Sequence, residues 1–93
     1  MSEKKVTITV SGNQITVNPD PVQPKKNQDN VKWECDQQFS VSLQGNTIQG
    51  QQQGSGNKYA GSSGTFPTVE KIKYSVTVGG NELDPEVDVQ PGP

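Results

Sequence analysis

Apolar side chains recur at every second position through most of this chain, and that period is the signature of half-buried β-strands. Val6, Ile8 and Val10 alternate with Thr7, Thr9 and Ser11. Val31, Trp33 and Cys35 share one face, with Lys32, Glu34 and Asp36 on the other. Phe39, Val41 and Leu43 alternate with serines, and Ile72, Tyr74, Val76 and Val78 with Lys73, Ser75 and Thr77. No window carries a helical stripe with start and stop signals. Gly12-Asn13, Asn27 to Asn30, Gly45-Asn46 and Gly79-Gly80-Asn81 supply turns between the runs. The pattern predicts an all-β fold, an antiparallel Greek-key β-sandwich of about seven strands. It fills residues 1–93 as a single domain. Val31, Trp33, Phe39, Val41, Ile72, Tyr74 and Val76 are its expected core.

Two segments break the alternation. Pro19, Pro21 and Pro24 forbid a central strand but allow an edge. Residues 49–65 are rich in Gly, Ser and Gln and offer too little apolar area to offset their ordering entropy. A long mobile loop is predicted there, and long loops in compact domains are commonly functional. Gln51, Gln52, Gln53, Lys58 and Tyr59 form the candidate interaction loop. Tyr59 is its one large apolar side chain and the expected exposed anchor.

Composition removes whole classes of chemistry. Only 27% of the chain is hydrophobic, so the core must be small. There is no His, which takes away the commonest general base and the commonest metal ligand. Cys35 is the single cysteine, so no internal disulfide can form, which favours a reducing compartment. The expected location is the cytoplasm, or outside the cell if a signal peptide has been removed. No stretch approaches a membrane span, so no membrane partner is expected. Nucleic acid is not an expected partner either, because the chain has no Arg and a net charge of −2.

The remaining polar constellations favour structural roles. Glu82, Asp84, Glu86 and Asp88 recur at every second position and would share one face, opposite Leu83, Val87 and Val89. Strand spacing sets alternate side chains roughly 6–7 Å apart, too far for all four to hold one ion. A solvated outer face that protects an edge strand is the better reading. Cys35, in phase with Val31 and Trp33, reads as a small buried residue, and its acidic neighbours Glu34 and Asp36 disfavour a thiolate. Gly56 to Ser63 has the outer glycine spacing of a phosphate-binding loop but lacks the lysine after the second glycine and a following helix. Ser62 and Ser63 have no base beside them. No enzymatic activity is expected.

Val17-Asn18-Pro19-Asp20-Pro21-Val22 runs into Gln28-Asp29-Asn30-Val31-Lys32-Trp33, and Phe39-Ser40-Val41 follows. Later come Ile72-Lys73-Tyr74-Ser75-Val76, Gly79-Gly80-Asn81 and Pro85-Glu86-Val87-Asp88-Val89. This order of motifs resembles the cupredoxin family, the small Greek-key sandwich of blue-copper proteins. The resemblance covers most of the chain outside residues 44–65 and rests on unspecific motifs. Another immunoglobulin-like sandwich is the alternative topology. A blue-copper site needs two imidazoles and a thiolate, usually with a weak axial Met. Phe39 stands where the family has its first His ligand, and Val76 where it has its Cys. No residue carries over as a ligand. The resemblance therefore implies a scaffold without copper, its site filled by apolar packing, and no cofactor is expected.

The expected function is a non-enzymatic interaction or structural module, presenting the loop at 44–66 and a sheet edge to a protein partner. Carbohydrate binding is the alternative, although sugar platforms need exposed aromatics and this core needs most of the five present. A metal-binding or electron-transfer cupredoxin relative is the second alternative, opposed by the missing ligands. The sequence leaves the oligomeric state open.

Overall fold

The structure, a computed structural model, describes residues 2–54 and 57–92. Its strands are β1 (Ser2–Ser11), β2 (Gln14–Asn18), β3 (Asp29–Cys35), β4 (Ser40–Leu43), β5 (Asn46–Gln49), β6 (Gln51–Gln52), β7 (Tyr59–Thr65), β8 (Lys71–Val78), β9 (Asn81–Leu83) and β10 (Glu86–Asp88). One sheet has the order β2-β1-β3-β7-β6 and the other β10-β8-β4-β5, with β9 also on β8. The two pack face to face as an all-β sandwich. Trp33 is wholly buried between them, edge-on to Tyr74 with ring centroids 5.4 Å apart. The other expected core residues, Val31, Phe39, Val41, Ile72 and Val76, are buried with them.

The period of two decides which side chains are inside. Along β3 every second residue is buried, and along β8 Ile72, Tyr74, Val76 and Val78 are. Glycine shapes the hairpin between β8 and β9. Gly79 and Gly80 both have positive φ, 56° and 88°, as a two-residue turn of the primed type requires. β9 and β10 keep one register on β8, with Leu83 opposite Val76 and Val87 opposite Ile72. The Tyr74 N–H donates to the Pro85 carbonyl between them at 3.1 Å. They are one strand interrupted at Asp84–Pro85, which is one reason the strands outnumber the seven or so expected.

Two features differ from a wholly antiparallel reading. β1 and β3 run parallel, with Val6 beside Trp33. A parallel neighbour requires a crossover, because a tight turn can only reverse the chain. After β2 the chain leaves the first sheet through Pro19 and Pro21, both preceded by cis peptide bonds. It then lies along the edge of the second sheet, with Val22 bridged to Val87 and Lys25 to Gln90 in parallel. Buried Asp29 anchors the return, its Oδ2 accepting the Lys25 N–H at 3.0 Å.

The second difference corrects the predicted mobile loop at 49–65. Most of that segment is strand: β5 ends at Gln49, β6 follows, and β7 spans Tyr59–Thr65. The order comes from neighbours rather than from its own side chains. β7 pairs with β3 on one side and β6 on the other. Ser63 Oγ accepts the Val31 N–H at 3.2 Å where the register shifts, and Asn30 donates to Ser62 Oγ at 2.8 Å. Gly50 marks the corner where the run β5–β6 passes from one sheet to the other.

A side chain at Gly50 has no room, since a Cβ there would lie 2.7 Å from the Phe39 ring. Gly50→Ala should lower stability by about 1–3 kcal/mol, read as the shift of a urea melt, with the fold retained. A second outcome concerns alkaline pH. Burial pushes the Tyr74 phenol from its usual 10.0 up to about 12, with the Trp33 indole acting against the rise and the Asp20 carboxylate adding to it. The folded state therefore holds its proton where the unfolded chain has lost it. The resulting stability is complete below pH 10.0 and is lost as pH rises through about 12. The fall should not exceed about 1.4 kcal/mol per pH unit and should be absent in Tyr74→Phe, with Trp33 fluorescence reporting unfolding.

Candidate functional site

The glutamine segment sits on a hairpin at the edge of the first sheet. Gln51 pairs with Ala60 and Gln52 with Tyr59. The Gln53 N–H donates to the Lys58 carbonyl at 2.7 Å, and its side-chain amide to the Gln51 carbonyl at 3.0 Å. Gln51, Gln52, Gln53 and Lys58 are exposed. Tyr59 departs from the exposed anchor expected of it: it is half-buried and packs against the core. The reason is its register opposite Cys35, which aims the ring at the inside of the sandwich. The structure thus brings the five candidate residues together and ties them to the first sheet through the pairing of β6 with β7.

Beside the hairpin, between β5 and β7, runs an open groove of about 380 Å³. Lys32, Ile48, Gln49, Gln51, Ala60 and Ser62 are among its walls. Gly61 lets the two sheets close at its floor, since a Cβ there would come within 2.8 Å of Ile48 Cγ2. Neither Ile48 nor Gly61 stands out in the sequence, because the contact joins elements in different sheets.

The outer face of the first sheet carries a charge cluster. The parallel register sets Lys5 directly opposite Lys32, an unfavourable pairing of like charges. Glu34 relieves it: its carboxylate lies 3.8 Å from Lys5 Nζ, 3.6 Å from Lys32 Nζ and 3.5 Å from Lys58 Nζ. Lys58 is thereby tied to β3. Sequence reading places Lys32 and Glu34 outward but cannot bring Lys5 to them without knowing that β1 and β3 are neighbours.

A second open pocket, of about 400 Å³, lies over Cys35, Asp36 and Lys58. Cys35 is buried, and burial pushes its thiol up, with the Asp36 carboxylate adding to the rise. The Gln37 and Asp36 main-chain N–H groups act against the rise, but burial prevails and disfavours a thiolate nucleophile. The acidic row is split by the Asp84–Pro85 break. Asp84 accepts the Ser75 hydroxyl at 2.9 Å, while Glu86 stands opposite Lys73 and Asp88 opposite Lys71. Among the described residues no three His, Cys, Asp or Glu side chains gather as a metal site. No helix among them is long and apolar enough to cross a membrane. The glycine spacing from Gly56 begins outside the described residues. Ser62 and Ser63 make the strand contacts given above.

The chain matches no protein-family model and no curated protein.

Removing the carboxylate that three lysines share should expose their repulsion. Glu34→Gln is expected to cost less than about 1 kcal/mol at low salt, because two of the three lysines, Lys5 and Lys58, are largely exposed. The difference should shrink towards zero in molar salt, as paired thermal melts would show.

Proposed function

We propose that this protein is a non-enzymatic β-sandwich module that binds a protein partner through the flank formed by β5, β6 and β7. The observation that carries this reading is the exposed Gln51–Gln53 edge, paired to β7 beside the groove walled by Ile48 and Ser62. Edges and grooves on rigid scaffolds bind extended partners through main-chain hydrogen bonds, with neighbouring side chains adding selectivity. Glutamine suits such a surface, since each amide both donates and accepts.

The aromatic residues weigh against the carbohydrate reading. Trp33, Phe39, Phe66 and Tyr74 are buried and Tyr59 is half-buried, which leaves no ring to form a stacking platform. We also read the scaffold as a cupredoxin relative without copper. In support, Phe39 and Val76, at the positions matching copper ligands, are both buried, and Val76 pairs with Val41 just beyond Phe39. The lysines on the outer face share Glu34, which weakens them as a phosphate footprint.

Removing residues 50–64 would delete most of β7 and take a strand from the first sheet, so the flank is better tested by substitution. Tagged wild-type protein should capture a partner from its native cell, and Gln51→Lys/Gln53→Lys should lose it with an unchanged melting temperature. Equal capture by both would remove the flank from the interaction.

A further inference from the structure

From Gln37 to Val69 the only charged residue is Lys58. The topology gathers this stretch on one side of the molecule. β6 ends the first sheet, β5 ends the second, and β4 and β7 lie next to them. Among the described residues, no strand is paired to the outer side of β5, although Gly61 of β7 packs beside its Ile48–Gln49 end. Its Asn46, Thr47 and Gln49 are exposed and Ile48 is half-buried. Monomeric proteins protect such edges with charges, prolines or bulges. β5 has none of these.

The opposite flank is built differently. There the chain segment carrying Pro19, Pro21 and Pro24 closes the second sheet, with Asp20 accepting the Glu86 N–H at 3.1 Å. Proline has no N–H to offer a new strand.

We infer that β5 pairs antiparallel with β5 of a second copy of this chain, joining the two second sheets into one across a two-fold axis. This deepens, and rests on, the reading of the β5–β7 flank as an interaction surface. Three properties select a second copy. An antiparallel pair of identical strands satisfies a two-fold, because each residue meets its own counterpart under a constant sum of positions. The edge has no charge, so a copy of itself meets no repulsion, whereas a charged segment would find no counter-charge on β5. The exposed amides and hydroxyl of Asn46, Thr47 and Gln49 both donate and accept, so they complement themselves. Assembly through this contact stops at two, because a two-fold pairing uses β5 of both copies.

Sedimentation equilibrium tests this on the whole chain. The expected result is a concentration-dependent rise from 10.0 kDa to twice that mass. Thr47→Lys/Gln49→Lys places like charges opposite each other in any register near the axis. It should weaken the dimer at least roughly tenfold with an unchanged melting temperature. Thr47→Glu/Gln49→Glu gives the same readout should the lysine pair disturb folding. Thr16→Lys, on exposed β2 of the far flank, should leave the dimer intact. A dimer indifferent to both charged pairs, or an open-ended polymer, would overturn the proposal. So would a monomer persisting to about 1 mM. A persistent monomer whose partner capture is still abolished by Gln51→Lys/Gln53→Lys would overturn self-pairing alone. If capture is unaffected as well, the flank reading fails with it.

Discussion

Close contact between Gly50 and the Phe39 ring determines how the two sheets meet. The chain must change layers there, and it does so against a flat aromatic surface that leaves no space for a side chain. Three hydrogen bonds fix the corner. The Gly50 N–H donates to the Phe39 carbonyl at 2.8 Å, and the Gln38 amide donates to the Gly50 carbonyl at 2.8 Å and to the Phe39 carbonyl at 3.4 Å. With the corner fixed, β5 must lie in one sheet and β6 in the other. Ile48 is then set over Gly61, and the flank closes with almost no apolar side chain. A chain that is only 27% hydrophobic depends on such economy, because its larger residues are needed between the sheets.

The far flank solves the same problem with main-chain hydrogen bonds. Val22 donates to Glu86 at 3.2 Å and accepts from Asp88 at 2.8 Å, while Pro24 accepts from Gln90 at 2.8 Å. Pro24 serves only as an acceptor, the one main-chain role open to proline. The second sheet is thus closed on one flank by this bridged segment, while on the other no strand is paired to the outer side of β5.

The inside of the sandwich was legible because its signal is local. Alternation along β3 and β8 identifies buried residues without any knowledge of partners, and the Gly79-Gly80 turn identifies itself. β7 was illegible for the opposite reason. Tyr59–Thr65 has little intrinsic strand preference, and its pairing with β3 and β6 overrides that. The parallel pairing of β1 with β3 was hidden too, since no residue in either strand encodes the direction of its neighbour. The crossover that permits it lies in the proline segment, which reads from sequence only as an edge.

The candidate site was half legible on the same grounds. Exposure of Gln51–Gln53 follows from their polarity alone. Their place in a paired strand does not, because it comes from β7 and from the corner at Gly50. Charge behaves similarly. Along the sequence the run from Gln37 to Val69, charged only at Lys58, looks like low complexity, and it acquires meaning only when the topology folds it into one flank. A neutral polar run in a loop would be solvated and inconsequential. Set along an unpaired strand, the same residues present main-chain donors and acceptors with no charge to deter a second strand. The step from composition to interaction surface therefore lies in the strand order.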